Sequence, residues 1–127
     1  AEALAGGASA VALLKLNNNA IGDRGAAALA ELLAHDSALR SLQLVRNEIT
    51  DAGAQTLAAA LRVNDTLEKL DLFGNDIGDA GVRELAEALR GNETLCELDL
   101  AHNHGMTGAS LIHMAAIDAI LARNRVC

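Results

Sequence analysis

Aromatic side chains are almost missing from this sequence, which has one Phe and no Trp or Tyr among 127 residues. Any core must therefore be aliphatic, which suits thin, regular layers. Cysteine is equally scarce. Cys96 and Cys127 are too few for a disulfide framework, and they read as free thiols in a reducing compartment. Cations are outnumbered, with 10 Lys and Arg against 17 Asp and Glu. A formal charge of −7 lacks the basic face that phosphate binding requires. No nucleic acid is expected as a partner, and a protein with a basic surface suits the charge better. No apolar run approaches the roughly 18 residues of a membrane span, and the chain does not open on a basic segment followed by an apolar one. These absences point to a cytoplasmic protein with no membrane partner. What is plentiful is small and aliphatic: 51% of residues are hydrophobic and 21% charged, as in one folded domain.

The sequence repeats. Val11, Leu39, Leu67 and Leu95 stand 28 residues apart, each followed after three residues by Leu14, Leu42, Leu70 or Leu98. Leu16, Leu44, Leu72 and Leu100 come two further on, and Asn19, Asn47, Asn75 and Asn103 three beyond those. Each unit reads LxxLxLxxN. The second half keeps the register in Ile21, Ile49 and Ile77, then Asp23, Asp51 and Asp79, then Gly25, Gly53 and Gly81.

Physics assigns a structure to each column. The LxL alternation has period 2, so Leu42 and Leu44 point to one side of a short strand and Gln43 to the other. Ala54, Leu57, Ala58 and Leu61 recur at spacings of three and four, the apolar face of a helix. Asp23, Asp51 and Asp79 precede these helices, where a carboxylate can accept from free backbone N–H groups; they are expected to be N-caps. Asn64 and Asn92 follow the helices and are expected to end them in left-handed backbone angles. A strand and a helix of 28 residues cannot bury their apolar faces alone, so the units must stack into a parallel sheet lined by parallel helices.

LxxLxLxxN followed by Ile, Asp, Gly and a helix, as in residues 67 to 92, resembles the leucine-rich repeat of the ribonuclease-inhibitor subtype. The resemblance covers nearly the whole chain. It implies an α/β solenoid, a short horseshoe arc with parallel strands on the concave face and helices on the convex face. It also implies that Asn19, Asn47, Asn75 and Asn103 turn inward and bind the backbone of neighbouring repeats as a ladder. Residues 1–10 are expected to be the end of a preceding repeat helix, because residues 1–4 and 86–89 both read AEAL. The chain then looks like a fragment of a larger protein, and its open N-terminal end invites homodimerisation. Three and a half repeats fill residues 11–102. Residues 103–127 depart from the pattern and are expected to form a C-terminal capping repeat with a longer helix.

Little in the sequence suggests catalysis. Ser41 and Ser110 lack a neighbouring base and orienting acid, no glycine-rich phosphate loop is present, and His102, His104 and His113 read as surface histidines rather than metal ligands. No enzyme activity, cofactor or metal is expected. Function should live on the outward columns of the sheet: Leu13, Ser41, Lys69, Glu97; Lys15, Gln43, Asp71, Asp99; Asn17, Val45, Phe73, Ala101; and Asn18, Arg46, Gly74, His102. Variable side chains on a constant frame suit a protein-interaction module. Its candidate site is Phe73 and Val45 as an apolar centre, rimmed by Arg46, Lys69, Asp71, Asp99, Gln43 and Glu97. The alternatives come from two families with similar repeats: a regulator of a small GTPase, as in Ran GTPase-activating proteins, or a tropomodulin-like actin-associated protein.

Overall fold

Four LxL segments form four short strands: β1 (Leu13–Lys15), β2 (Ser41–Gln43), β3 (Lys69–Asp71) and β4 (Glu97–Asp99). A computed structural model describes residues 12–35 and 38–125 of the chain. The expected helix remnant at residues 1–10 lies outside the described residues. The strands pair in parallel in the order β1-β2-β3-β4, each residue opposite the one 28 positions on: Leu14, Leu42, Leu70 and Leu98 form one row. Helices α1 (Gly22–His35), α2 (Asp51–Leu61) and α3 (Asp79–Leu89) follow the first three strands, and a 3-10 turn (Gly108–Ser110) leads into α4 (Leu111–Asn124) after the fourth. The core between sheet and helices is wholly aliphatic. Leu42, Leu44, Ile49, Leu57, Leu61, Leu70, Leu72, Ile77, Leu85 and Leu89 are all buried in it.

Three rows of polar side chains bind one repeat to the next. In the first, Asn75 Oδ1 accepts from the N–H groups of Asn47 (2.9 Å) and Ile49 (3.0 Å), while its Nδ2 donates to the carbonyls of Leu44 (2.9 Å) and Leu72 (3.0 Å). Asn47 repeats this one layer earlier, accepting from Asn19 N–H at 2.8 Å, and Asn103 repeats it one layer later, accepting from Ile77 N–H at 2.9 Å. Asn19 differs. It is exposed, and its amide donates to Asn17 of its own loop.

The second row corrects the expectation for the aspartates. Asp51 and Asp79 are the first residues of their helices rather than their N-caps, which are Thr50 and Gly78. Each carboxylate reaches forward to the following repeat. Asp23 accepts from Thr50 N–H (2.7 Å), Thr50 hydroxyl (2.6 Å) and Gly53 N–H (3.0 Å). Asp51 accepts from Gly78 N–H (2.6 Å) and Gly81 N–H (3.0 Å). Each acid thus caps the next helix and meets the positive end of its dipole. The close approach explains the glycine column: a Cβ on Gly81 would stand 2.7 Å from Asp51 Oδ1 and 2.7 Å from Ile77 Cγ2.

The third row corrects the helix stops. Asn64 and Asn92 do not adopt positive φ. Both are buried, and both work across the layers: Asn64 Nδ2 donates to Leu33 O (3.0 Å), Asn92 Nδ2 to Leu61 O (3.0 Å) and Asn124 Nδ2 to Asn92 O (2.9 Å). Their side-chain oxygens also accept from the entry to the next strand, as Asn64 does from Leu67 N–H at 2.8 Å. The expectation of free thiols is corrected as well, since Cys96 is disulfide-bonded. The second cysteine, Cys127, lies outside the described residues.

The closing unit hangs on the same devices. Asp79 accepts from Thr107 N–H (2.8 Å), Thr107 hydroxyl (2.6 Å) and Ser110 hydroxyl. The Ser110 hydroxyl, and after it Thr107, hold the Asp79 carboxyl below its ordinary 3.8. At Asp23, burial pushes the carboxyl up but is outweighed by Thr50 and Gly53, so the net direction is again downward. A carboxyl with a native value below its unfolded value favours the fold above the unfolded value and loses that contribution as pH falls through the native one. The thermal midpoint is therefore expected to fall as pH drops below about 4, and more shallowly in Asp79→Asn. An identical acid profile in that variant would contradict a carboxylate-held closing unit.

Candidate partner-binding face

Pairing of residues 28 apart turns each outward column into a straight row across the sheet. Hydrogen bonding continues past the strands: Arg46 N–H donates to Phe73 O and Gly74 N–H to Ala101 O, both at 3.0 Å. The rows at the strand exits are thus as fixed as those within the sheet.

The candidate residues fall into two groups. Gln43, Lys69, Asp71, Glu97 and Asp99 form the floor and line a depression of about 400 Å³. Lys69 Nζ stands 3.8 Å from Glu97, so cation and anion partly cancel along that row. Asp71 and Asp99 each turn one oxygen to a backbone N–H two residues on, of Phe73 (3.1 Å) and Ala101 (2.9 Å). That bond orients the carboxylates without burying them, and Asp99 is exposed. Val45, Arg46 and Phe73 form the second group, a rim at the strand exits. Of the charged residues expected to ring Phe73, Arg46 does so, while Lys69 belongs to the floor.

Phe73 is half-buried and not part of the core cluster. Its ring lies against the His102 ring, with centroids 4.7 Å apart and planes tilted by 48°. The Arg46 guanidinium carbon stands 5.3 Å from its centroid on the neighbouring repeat. Cation–π and tilted-ring contacts at these distances fix the position of the ring between neighbouring strand exits. His102 and Arg46 are both exposed.

Sequence reasoning missed one wall of the face. Asp118, Leu121 and Arg125 of the closing segment line the same depression as the strands. A capping helix reads as a cover for the last layer, and only its packing shows that it also borders the sheet. Asp23, Asp51 and Asp79 are committed to the following helices, and among the described residues no group of three or more His, Cys, Asp or Glu could hold a metal ion. No described helix is long and apolar enough to cross a membrane.

No curated protein matches the chain. Among solved structures it is similar to leiomodin-1 actin-binding site 2, with 20% identity, a TM-score of 0.67, and coverage of 89% of this chain and 80% of that one. It is also similar to the tropomodulin C-terminal domain of Caenorhabditis elegans, with 16% identity, a TM-score of 0.55, and coverage of 90% and 84%. Both likenesses are of fold. The family model of the TMOD/LMOD leucine-rich domain matches residues 2–127. The chain therefore belongs to the tropomodulin/leiomodin leucine-rich domain family and is a protein-interaction module.

Proposed function

We propose that the chain binds actin through its concave face, as a non-catalytic module. The observation that carries this is the family match over residues 2–127, supported by the likeness in fold to actin-binding site 2 of leiomodin-1. The floor and rim supply what a protein interface needs, an apolar aromatic centre with charge around it. The same match favours an actin-associated role over regulation of a small GTPase. Anisotropy of the fluorescently labelled chain, titrated with monomeric actin, is expected to rise to saturation. A flat titration would overturn the assignment to actin.

Within this proposal the repeats are of the ribonuclease-inhibitor type, on the strength of their 28-residue strand-and-helix units. The compartment is the cytoplasm, where actin resides and where the Cys96 disulfide would be open to reduction. Arg83, Arg90 and other cations being few, acidic surface predominates and a basic patch on the partner would assist encounter. Two copies of the chain can also meet at β1, one of the two edge strands of the described sheet, where Leu13 is 46% exposed. Light scattering is expected to show mass rising with concentration, and less so for Leu13→Lys. A strict monomer at high concentration would count against this contact.

A further inference from the structure

Asn18, Arg46, Gly74 and His102 occupy equivalent strand exits, and all four are in the left-handed region, with φ of 58, 53, 72 and 58°. Glycine meets that requirement most cheaply, yet only position 74 has it. Its absence of a side chain has a second use. A Cβ there would stand 2.9 Å from Arg46 Cγ, so the aliphatic stem of Arg46 lies in the space that Gly74 leaves open. The stem carries the guanidinium to 5.3 Å from the Phe73 centroid, and His102 braces the ring. Among the described residues the ion pairs are Glu31 with His35, Arg40 with Glu68, Lys69 with Glu97 and Glu87 with Arg90; Arg46 is in none of them. An exposed cation is thus held in place by neighbours that do not neutralise it.

We propose that the Arg46, Phe73 and His102 stack is an anchor for a carboxylate side chain of the protein partner, with an adjacent apolar side chain seated on Phe73 and Val45. This inference rests on the concave face being where a protein docks. The planar guanidinium can take a carboxylate through two parallel hydrogen bonds, and the ring that orients it beforehand reduces the freedom lost on binding. Asp71 lies two residues before Phe73 and Asp99 three before His102 along the strands, roughly 7 and 10 Å away. Their charges repel a carboxylate from the floor and leave the rim as its place. The local partner chemistry is therefore acidic, although the chain as a whole carries −7.

The sole Phe, with no Tyr or Trp, makes the ring protons of Phe73 directly readable by NMR. The test titrates the whole chain with the capped dipeptide N-acetyl-Leu-Glu-amide and with its Leu-Gln counterpart. Saturable shifts of the Phe73 ring and the Arg46 side-chain N–H are expected with the Glu peptide, and binding about tenfold weaker with the Gln peptide. Arg46→Gln should abolish the preference for Glu. Arg46→Lys, which keeps the charge but not the fork, should lie between. Equal shifts from both peptides, an undiminished preference in Arg46→Gln, or no saturable shift with the Glu peptide would each overturn the proposal. Actin is absent from this experiment, so a positive peptide titration beside a flat actin titration sinks only the assignment to actin, and the converse sinks only the anchor.

Discussion

Asn75→Ala is expected to lower the unfolding free energy by about 3 kcal/mol and the thermal midpoint by about 10 °C. The side chain is 1% exposed. Its removal strands two backbone N–H groups, of Asn47 and Ile49, and the carbonyl of Leu44 inside an aliphatic core, and takes from the Leu72 carbonyl one of its two donors, the other being Asn103 Nδ2. Each stranded group costs about 1–3 kcal/mol when water cannot reach it, less whatever relaxation recovers. Asn19→Ala supplies the comparison within the same column. That residue is exposed, and among the described residues its side-chain amide bonds within its own loop, while its backbone N–H to Asn47 survives the substitution, so its loss should cost about 0.5 kcal/mol or less. Melting followed by circular dichroism reads both. Equal effects from the two variants would mean that the stacking of repeats does not depend on the ladder.

Phe73→Ala is expected to weaken actin binding about 30-fold, or about 2 kcal/mol, while the midpoint moves by only a few degrees. The ring is outside the core, and its contacts are with Arg46 and His102 on the rim. Asp71→Lys, on the floor, should act through charge, so its effect should shrink as salt is raised. A sharp loss of stability with unchanged affinity in Phe73→Ala would make the aromatic a packing residue.

The repeat frame was legible because each column holds one residue type at a constant spacing. Pairing of residue i with i+28 then makes the outward rows readable from the sequence, down to Lys69 opposite Glu97. The roles of Asp51 and Asn64 were not legible in the same way. Both stand at helix ends, where a local cap is the natural expectation. Their partners in the neighbouring layers lie 27 to 31 residues away along the chain, at Gly78, Gly81 and Leu33, and become neighbours only through stacking. The wall formed by Asp118 and Arg125 was hidden for a related reason: it depends on how the closing helix lies against the sheet, which the drifting pattern after Asn103 does not encode. The rim was half legible. Alternation placed Phe73 outward, but the slot over Gly74 that steers Arg46 toward it exists only once the repeats are stacked.

Hydroxyl-radical footprinting of the chain with and without saturating actin tests the concave face most directly, because it reads side chains one by one. Oxidation of Phe73 and His102 is expected to fall several-fold on binding, while Val63 after α2 and Leu111 and Ile112 of the closing helix, exposed by 66%, 72% and 74%, keep their rates. Protection of Val63, Leu111 or Ile112 with Phe73 unchanged would contradict it, and would put the actin contact on the helices or at the closing end.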